Sequence, residues 1–267
     1  MLDRGVLYYA EKHNDPAFPF RKIKDRLNQP DILFGNLESM ISDQGRDMGG
    51  KYSFRAPPKM IEGLILADFD IMSIANNHSF DWGLEALLDT KNRLAEVGIK
   101  PVGGGVNPYR PVFIESGDQT FAFIAHSQLG APGWIGTETE PGIAIYDEDK
   151  LKKSIEKSQK ADLVIFSIHY GIEYQQVPSQ NQKYLSRRAV DMGVDLVIGH
   201  HPHVIQPVEE YKDGLIAYSL GNFVFDQGFS EETMEGLLLE VKVKDGQILN
   251  YEKQVIPMNE YFQPHLD

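Results

Sequence analysis

The sequence predicts an α/β fold in one main domain, with a second sheet packed on the first. Two observations carry this reading. Short apolar runs such as Phe69–Ala75, Asp162–Ile168 and Asp195–Ile198 alternate with segments of helical apolar spacing, so strand-loop-helix units repeat along the chain. After His203 the pattern turns to β, ending in the pair 237–244 and 247–256 around Asp245-Gly246. At 267 residues the chain can bury a substantial core in one domain.

The elements follow in order. Gly5–Tyr9 is a short apolar piece, and Phe20, Ile23 and Leu27 lie at helical spacing before Pro30. Asp31–Gly35 reads as a buried strand running into the polar loop Asn36-Leu37-Glu38-Ser39. The segment 42–59 is an ordered Gly- and Pro-rich loop that enters a helix at Pro57-Pro58. Phe69–Ala75 is the next strand and ends at Asn76-Asn77-His78-Ser79-Phe80-Asp81; Leu84, Leu87, Leu88 and Leu94 then line one face of a helix stopped by Gly98.

Thr120–His126 is a strand, and its terminal His126 reads as a satisfied structural histidine. The stretch 127–146 has no strong period and is expected to be a loop, as a lid or a passive surface. A charged helix over 147–160 precedes the strand 162–168 and its terminal His169-Tyr170-Gly171-Ile172-Glu173; a helix over 180–192 leads to the strand 195–198. That strand opens into Gly199-His200-His201-Pro202-His203-Val204, three imidazoles within four residues. A hairpin over 208–220 follows.

Polar motifs fall at the carboxyl ends of the strands, the edge where α/β sheets bind ligands. Glu38, Asn77, His169, His201 and His203 come from four strand ends, and their mixed oxygen and nitrogen donors suit Mn, Fe or Zn. Two adjacent divalent ions would polarise a phosphoryl group and generate hydroxide at neutral pH, so metal-assisted ester hydrolysis fits the set. His78 is placed to protonate a leaving oxygen and Asp81 to orient it. Arg55 could hold a substrate anion or pair with a carboxylate.

Composition narrows the classes. A formal charge of -13 disfavours nucleic acid and anionic membranes as partners, and an anionic substrate would need the local cations that metal ions provide. With no cysteine, thiolate chemistry is excluded. No run approaches the ~20 apolar residues of a membrane span. As given, the product is expected to be soluble.

Five motifs in order carry a resemblance: Asn36-Leu37-Glu38, Asn77–Gly83, His169–Glu173, Gly199–Val204 and Ser219–Phe225. The chain resembles the CapA family of capsule and poly-γ-glutamate synthesis proteins, over residues 1–257, with 258–267 as a C-terminal tail. That family is similar to the calcineurin-like metallophosphatases. The resemblance implies a two-sheet sandwich flanked by helices and a dinuclear site with Asn77, His169 and His201 on one ion, His203 on the other and Glu38 between or beside them. It implies His78 as acid, His200 behind the ligands, and unassigned roles for Glu173, Arg55, Asn222 and Asp226.

The expected activity is a phosphoesterase of capsule synthesis, with a phosphoester or acidic polymer as substrate and capsule-synthesis membrane proteins as partners. In the family context an extracytoplasmic or membrane-associated location is compatible. A non-catalytic assembly or export component, or a nucleotidase using Tyr170, Tyr174 and Trp134 to clamp a base, are the alternatives. One departure stands out: a Gly-Asp pair precedes the Met-Leu of the family's opening motif, and here that metal-binding Asp is absent before Met1-Leu2. Either residues precede Met1, or the chain lacks one first-strand ligand and part of a central strand, leaving a sheet edge open.

Overall fold

The computed structural model describes residues 1–266. The run Gly5–Tyr9 belongs to helix α1 (Arg4–Lys12), which buries Val6 and Ala10, four residues apart, and is capped by the Asp3 carboxylate. The predicted helix near Ile23 is a single turn, α2 (Lys24–Leu27). Then come β1 (Phe34–Asn36), β2 (Met40–Ile41), β3 (Arg55–Ala56), α3 (Ile61–Leu66), β4 (Ile71–Ser73) and α4 (Gly83–Glu96). The middle of the chain supplies β5 (Lys100–Val102), β6 (Gly104–Val106), β7 (Val112–Ser116), β8 (Gln119–Ser127), β9 (Pro141–Ile143) and α5 (Glu148–Lys157). The last third holds β10 (Leu163–His169), α6 (Gln180–Asp191), β11 (Leu196–His200), β12 (Val208–Tyr211), β13 (Gly214–Ala217), β14 (Glu235–Lys244) and β15 (Gln247–Pro257).

Two sheets stack. The first is parallel, in the order β1-β4-β5. The second has six strands, β12-β13-β11-β10-β8-β7, parallel in its middle and antiparallel at both margins. The division between sheets therefore falls after β5, whereas the sequence pattern had suggested that the final pair makes the second sheet. β14 and β15 instead form a separate antiparallel ribbon with a register shift at Lys242/Val243. Apolar runs specify buried strands but carry no record of which strands pair, so the partition was not readable from pattern alone.

Alternation along β10 shows the layering. Leu163 and Ile165 join Ile71, Ala75 and Val102 of the first sheet in the core between the sheets. Val164, Phe166 and Ile168 point the other way, against Leu151 of α5 and Leu185 and Ala189 of α6. The other face of the first sheet packs on the first four helices through Val6, Leu27, Leu64, Leu87 and Leu94. Helices thus cover both outer faces, giving four layers.

The segment 127–146 is more structured than expected. β9 pairs antiparallel with β6, and Trp134 sits in a one-turn 3₁₀ helix with its ring stacked on Phe80 at 5.2 Å. The tail also folds back: the Met258 amide donates to Met234 O, and Gln263 Nε2 donates to Phe18 O at 2.6 Å.

β1 is an edge strand that pairs, among the described residues, with β4 alone. Beside it lies a cavity of 860 Å³ walled by β1, by Phe123, Ile165 and Ile198 of the second sheet, and by Leu237–Lys244 of β14. Met1 and Leu2 are buried at its end nearest Glu38. The Met1 ammonium donates to Val224 O at 3.0 Å, and burial pulls its pKa down to about 6 against the opposing pull of Glu38, Asp226 and Asp3.

Candidate metal centre

Four strand ends converge on one spot. Glu38 lies two residues beyond β1, Asn77 and His78 follow β4, His169 closes β10, and His201 and His203 follow β11. His169 and His200 are register partners across β10 and β11, which sets these two ends level. The chain then turns sharply through two residues of left-handed backbone, His201 (φ 101) and His203 (φ 58). Such conformations cost of order 1–3 kcal/mol in residues with a Cβ and persist where surrounding structure enforces them.

Glu38 Oε1 lies 3.7 Å from His203 Nε2 and 3.8 Å from His169 Nε2. These separations are too long for hydrogen bonds and suit two donors sharing an ion at about 2.1 Å from each. One donor atom from each of Glu38, His169 and His201 falls within 4.8 Å of the others, and the same holds for Glu173, His201 and His203. Glu38 Oε1, Asn77 Oδ1, both ring nitrogens of His169, His200 Nε2 and His201 Nδ1 are buried without hydrogen-bond partners. Each such atom costs roughly 1–3 kcal/mol if left unsatisfied. A cation among them satisfies the converging oxygen and nitrogen donors together, so the residues present fit a divalent metal.

The electrostatics agree. Burial alone would raise the Glu38 pKa, but the imidazoles of His169, His203, His78 and His201 around it outweigh that and hold it at about 2. Burial pushes His169 well below the ordinary histidine range, His200 to about 4 and His201 downward. Burial thus favours the unprotonated form of His169 and His201, the form in which an imidazole ligates a metal.

Supporting residues fix these donors. Asn222 Nδ2 donates to Gln227 Oε1 and Thr233 O, both at 3.0 Å, so its Oδ1 faces His203 Nδ1 at 3.0 Å. Nδ1 then carries the proton and Nε2 keeps its lone pair on the Glu38 side. Asp81 Oδ2 accepts from His78 Nδ1 at 2.7 Å and from the Phe54 amide at 2.9 Å. Two residues given no role by sequence brace the carboxylate loop. Asn36 Nδ2 donates to Glu38 Oε2, and the buried Asn76 Nδ2 donates to Leu37 O while its Oδ1 accepts from the His78 amide. Their signal was adjacency, since both lie inside the motifs that carry Glu38 and Asn77.

The remaining expected residues are placed as follows. The Arg55 guanidinium lies 3.5 Å from the Trp82 ring centre and donates to Gln44 O, with no carboxylate partner among the described residues. Asp226 accepts from the Gly5 amide at 2.9 Å and pairs with Arg4 at 3.1 Å, tying the loop after β13 to α1. His200 remains at the strand end with its ring tilted over Phe34. His126 is fully buried as expected but unsatisfied, packed edge-on against Tyr109 and Phe166 with neither nitrogen bonded. Of the aromatic clamp, Tyr170 is buried with its hydroxyl on Ser186, and Trp134 is taken by Phe80, leaving Tyr174 stacked over His203.

Comparison with known proteins accords with this geometry. A solved phosphatase from Mycoplasma pneumoniae superposes with a TM-score of 0.52 at 16% identity, over 88% of this chain and 87% of that one. The two-sheet architecture is accordingly the calcineurin-like fold, shared with that phosphatase. The capsule biosynthesis protein CapA of Bacillus anthracis is 32% identical over 97% of this chain, which spans 65% of that protein's length. The PGA biosynthesis protein CapA of Bacillus subtilis is 28% identical over 97% of this chain and 70% of its own. The model of the bacterial capsule synthesis protein family PGA_cap matches residues 1–227. On this evidence the chain belongs to the PGA_cap family.

Proposed function

We propose that this chain is a divalent-metal-dependent phosphoesterase acting in the synthesis or processing of a capsule polymer such as poly-γ-glutamate. The observation that carries the reading is the convergence of buried, unpartnered donors from Glu38, His169 and His201 within 4.8 Å of one another, with Asn77 Oδ1 likewise unpartnered at the end of β4. Glu38, Asn77, His169 and His201 would hold one ion and His203 a second, with Glu38 between them. Bound divalent cations would supply Lewis-acid polarisation of a phosphoryl oxygen and hydroxide at neutral pH.

The chain's own residues do the rest. Asp81 accepts the His78 Nδ1 proton, so that in the imidazolium form Nε2 carries the second proton and passes it to the leaving oxygen, leaving the neutral Nδ1–H ring. Asn222 keeps His203 in its ligating tautomer. The partner chemistry is an anionic phosphoester or acidic polymer, which a chain of net charge -13 can approach only where cations offset its own field. Membrane-bound components of capsule synthesis are the protein partners this reading entails; no helix among the described residues is long and apolar enough to cross a membrane.

The test is hydrolysis of a generic phosphodiester by protein equilibrated with manganese or zinc. Activity lost in His201→Ala supports the reading, and equal turnover in that variant refutes it. A second reading, a non-catalytic assembly component that keeps the fold, draws on the single buried carboxylate, Glu38, among the candidate ligands. It is distinguished by polymer binding that survives His78→Ala in a protein without hydrolytic activity.

A further inference from the structure

We propose that Glu173, placed by sequence only as a residue near the site, is a metal ligand and completes the second cation position together with His203, next to the His201 that serves the first. The inference rests on the metal-centre reading above and extends it to a residue that reading left without a role.

Geometry comes first. A carboxylate oxygen of Glu173 and one ring nitrogen from each of His201 and His203 lie within 4.8 Å of one another. Donors around one ion at about 2.1 Å are separated by at most about 4.2 Å, so a small side-chain rotation brings the Glu173 and His203 atoms within reach of one ion beside His201. The loop holding Glu173 is tied to the turn holding the two histidines. Gly171 takes φ +99, and a Cβ there would meet the Gln182 amide at 2.7 Å. Tyr174, also left-handed at φ 62, donates its amide to Pro202 O at 2.8 Å and lays its ring over His203 at 6.0 Å. Glu173 is thus fixed between two anchored neighbours, one of them bonded to the residue between His201 and His203.

Charge comes second. Two dications bring four positive charges, and Glu38 is the one buried carboxylate among the donors already named. Asp81 is committed to His78 and Phe54, and Asp226 Oδ2 to Arg4 and Gly5. Among the described residues no Lys or Arg pairs with Glu173. Its exposed carboxylate meets the Tyr174 hydroxyl but no cation, and so can offset the second ion. Each cation position then has one carboxylate, Glu38 deep in the centre and Glu173 at its rim.

The experiment measures metal content per chain by elemental analysis, with titration of Co(II) into metal-free protein followed by its visible absorption, for the unsubstituted chain, Glu173→Gln and His201→Ala. Circular dichroism confirms that each variant is folded. The expected result is two ions for the unsubstituted chain and a second-ion dissociation constant raised more than about tenfold in Glu173→Gln, with the first ion's binding unchanged. Glu173→Asp should recover part of the loss. Two ions held with unaltered affinity by Glu173→Gln, while His201→Ala loses them, overturns the role of Glu173 and leaves the centre standing. Absence of cobalt binding by the unsubstituted chain overturns both.

Discussion

His78 Nδ1 and Asp81 Oδ2 are 2.7 Å apart, with His78 buried and Asp81 partly buried in the loop after β4. The same carboxylate oxygen accepts the Phe54 amide, and the Phe54 ring packs on the imidazole at 4.3 Å. The ring is held by contacts on its face and at Nδ1. Asp81→Asn should leave metal content unchanged and lower kcat for a phosphodiester by at least about a hundredfold, the lower range for loss of a positioned proton donor. A kcat within twofold of the parent would remove His78 from the proposed chemistry.

Asn222 bonds His203 Nδ1 and is itself fixed by Gln227 and Thr233. Asn222→Ala frees the imidazole to adopt the other tautomer, so metal affinity should fall about 10- to 100-fold in a chelator competition. The first-bound ion, centred on Glu38, His169 and His201, should be affected less. Equal weakening of both ions would point to general disruption of the loop instead.

His126 predicts an acid-sensitive core. Burial pulls its pKa down to about 3, and neither ring nitrogen has a partner. The unfolded chain takes up a proton near pH 6.5 that the folded chain refuses until about pH 3. Stability from this group is therefore complete above 6.5 and is lost as the pH falls through that window, at about 1.4 kcal/mol per pH unit. His126→Phe, which keeps the contacts with Tyr109 and Phe166, should flatten the denaturation midpoint between pH 6.5 and 4 and match or exceed parental stability at pH 7. An unchanged acid slope would show that other groups dominate.

Gly199 lies where β11 passes closest to the residue after β13. A Cβ at this position would meet Tyr218 O at 2.1 Å and the Tyr170 ring at 2.7 Å. Gly199→Ala should destabilise the fold by roughly 3 kcal/mol or more, since neither a strand backbone nor a buried ring can move away cheaply. Urea denaturation gives the measure, and a loss below about 1 kcal/mol would show unexpected slack in the second sheet.

Much of the site was legible because its donors follow short apolar runs, so Glu38, Asn77, His169, His201 and His203 could be named from strand-end position alone. Their convergence was not legible, because it depends on two sheets facing one another, and no residue pattern encodes which parallel strands become neighbours. Arg55 shows the same limit at one side chain: its charge suggested an anion or carboxylate partner, and the stacking on Trp82 is visible only in three dimensions. His126 shows it in reverse, since burial was foreseen but an absent partner is visible only in three dimensions. Asn36 and Asn76 were passed over because amides in a loop have many uses, and only the hydrogen bonds to Glu38, Leu37 and His78 reveal theirs.

The 860 Å³ cavity beside β1 has a consequence for the molecule's motions. β10 is braced on both sides by β8 and β11, while β1 has one neighbour and leads directly to Glu38. The amides of Phe34 to Asn36 should therefore trade their hydrogens for deuterium far faster than those of Leu163 to His169. Glu38 is reached from a strand with a single neighbour. Cation binding at Glu38 should thus be seen at a distance, as a slowing of that exchange clock along β1 that leaves the already protected β10 unmoved.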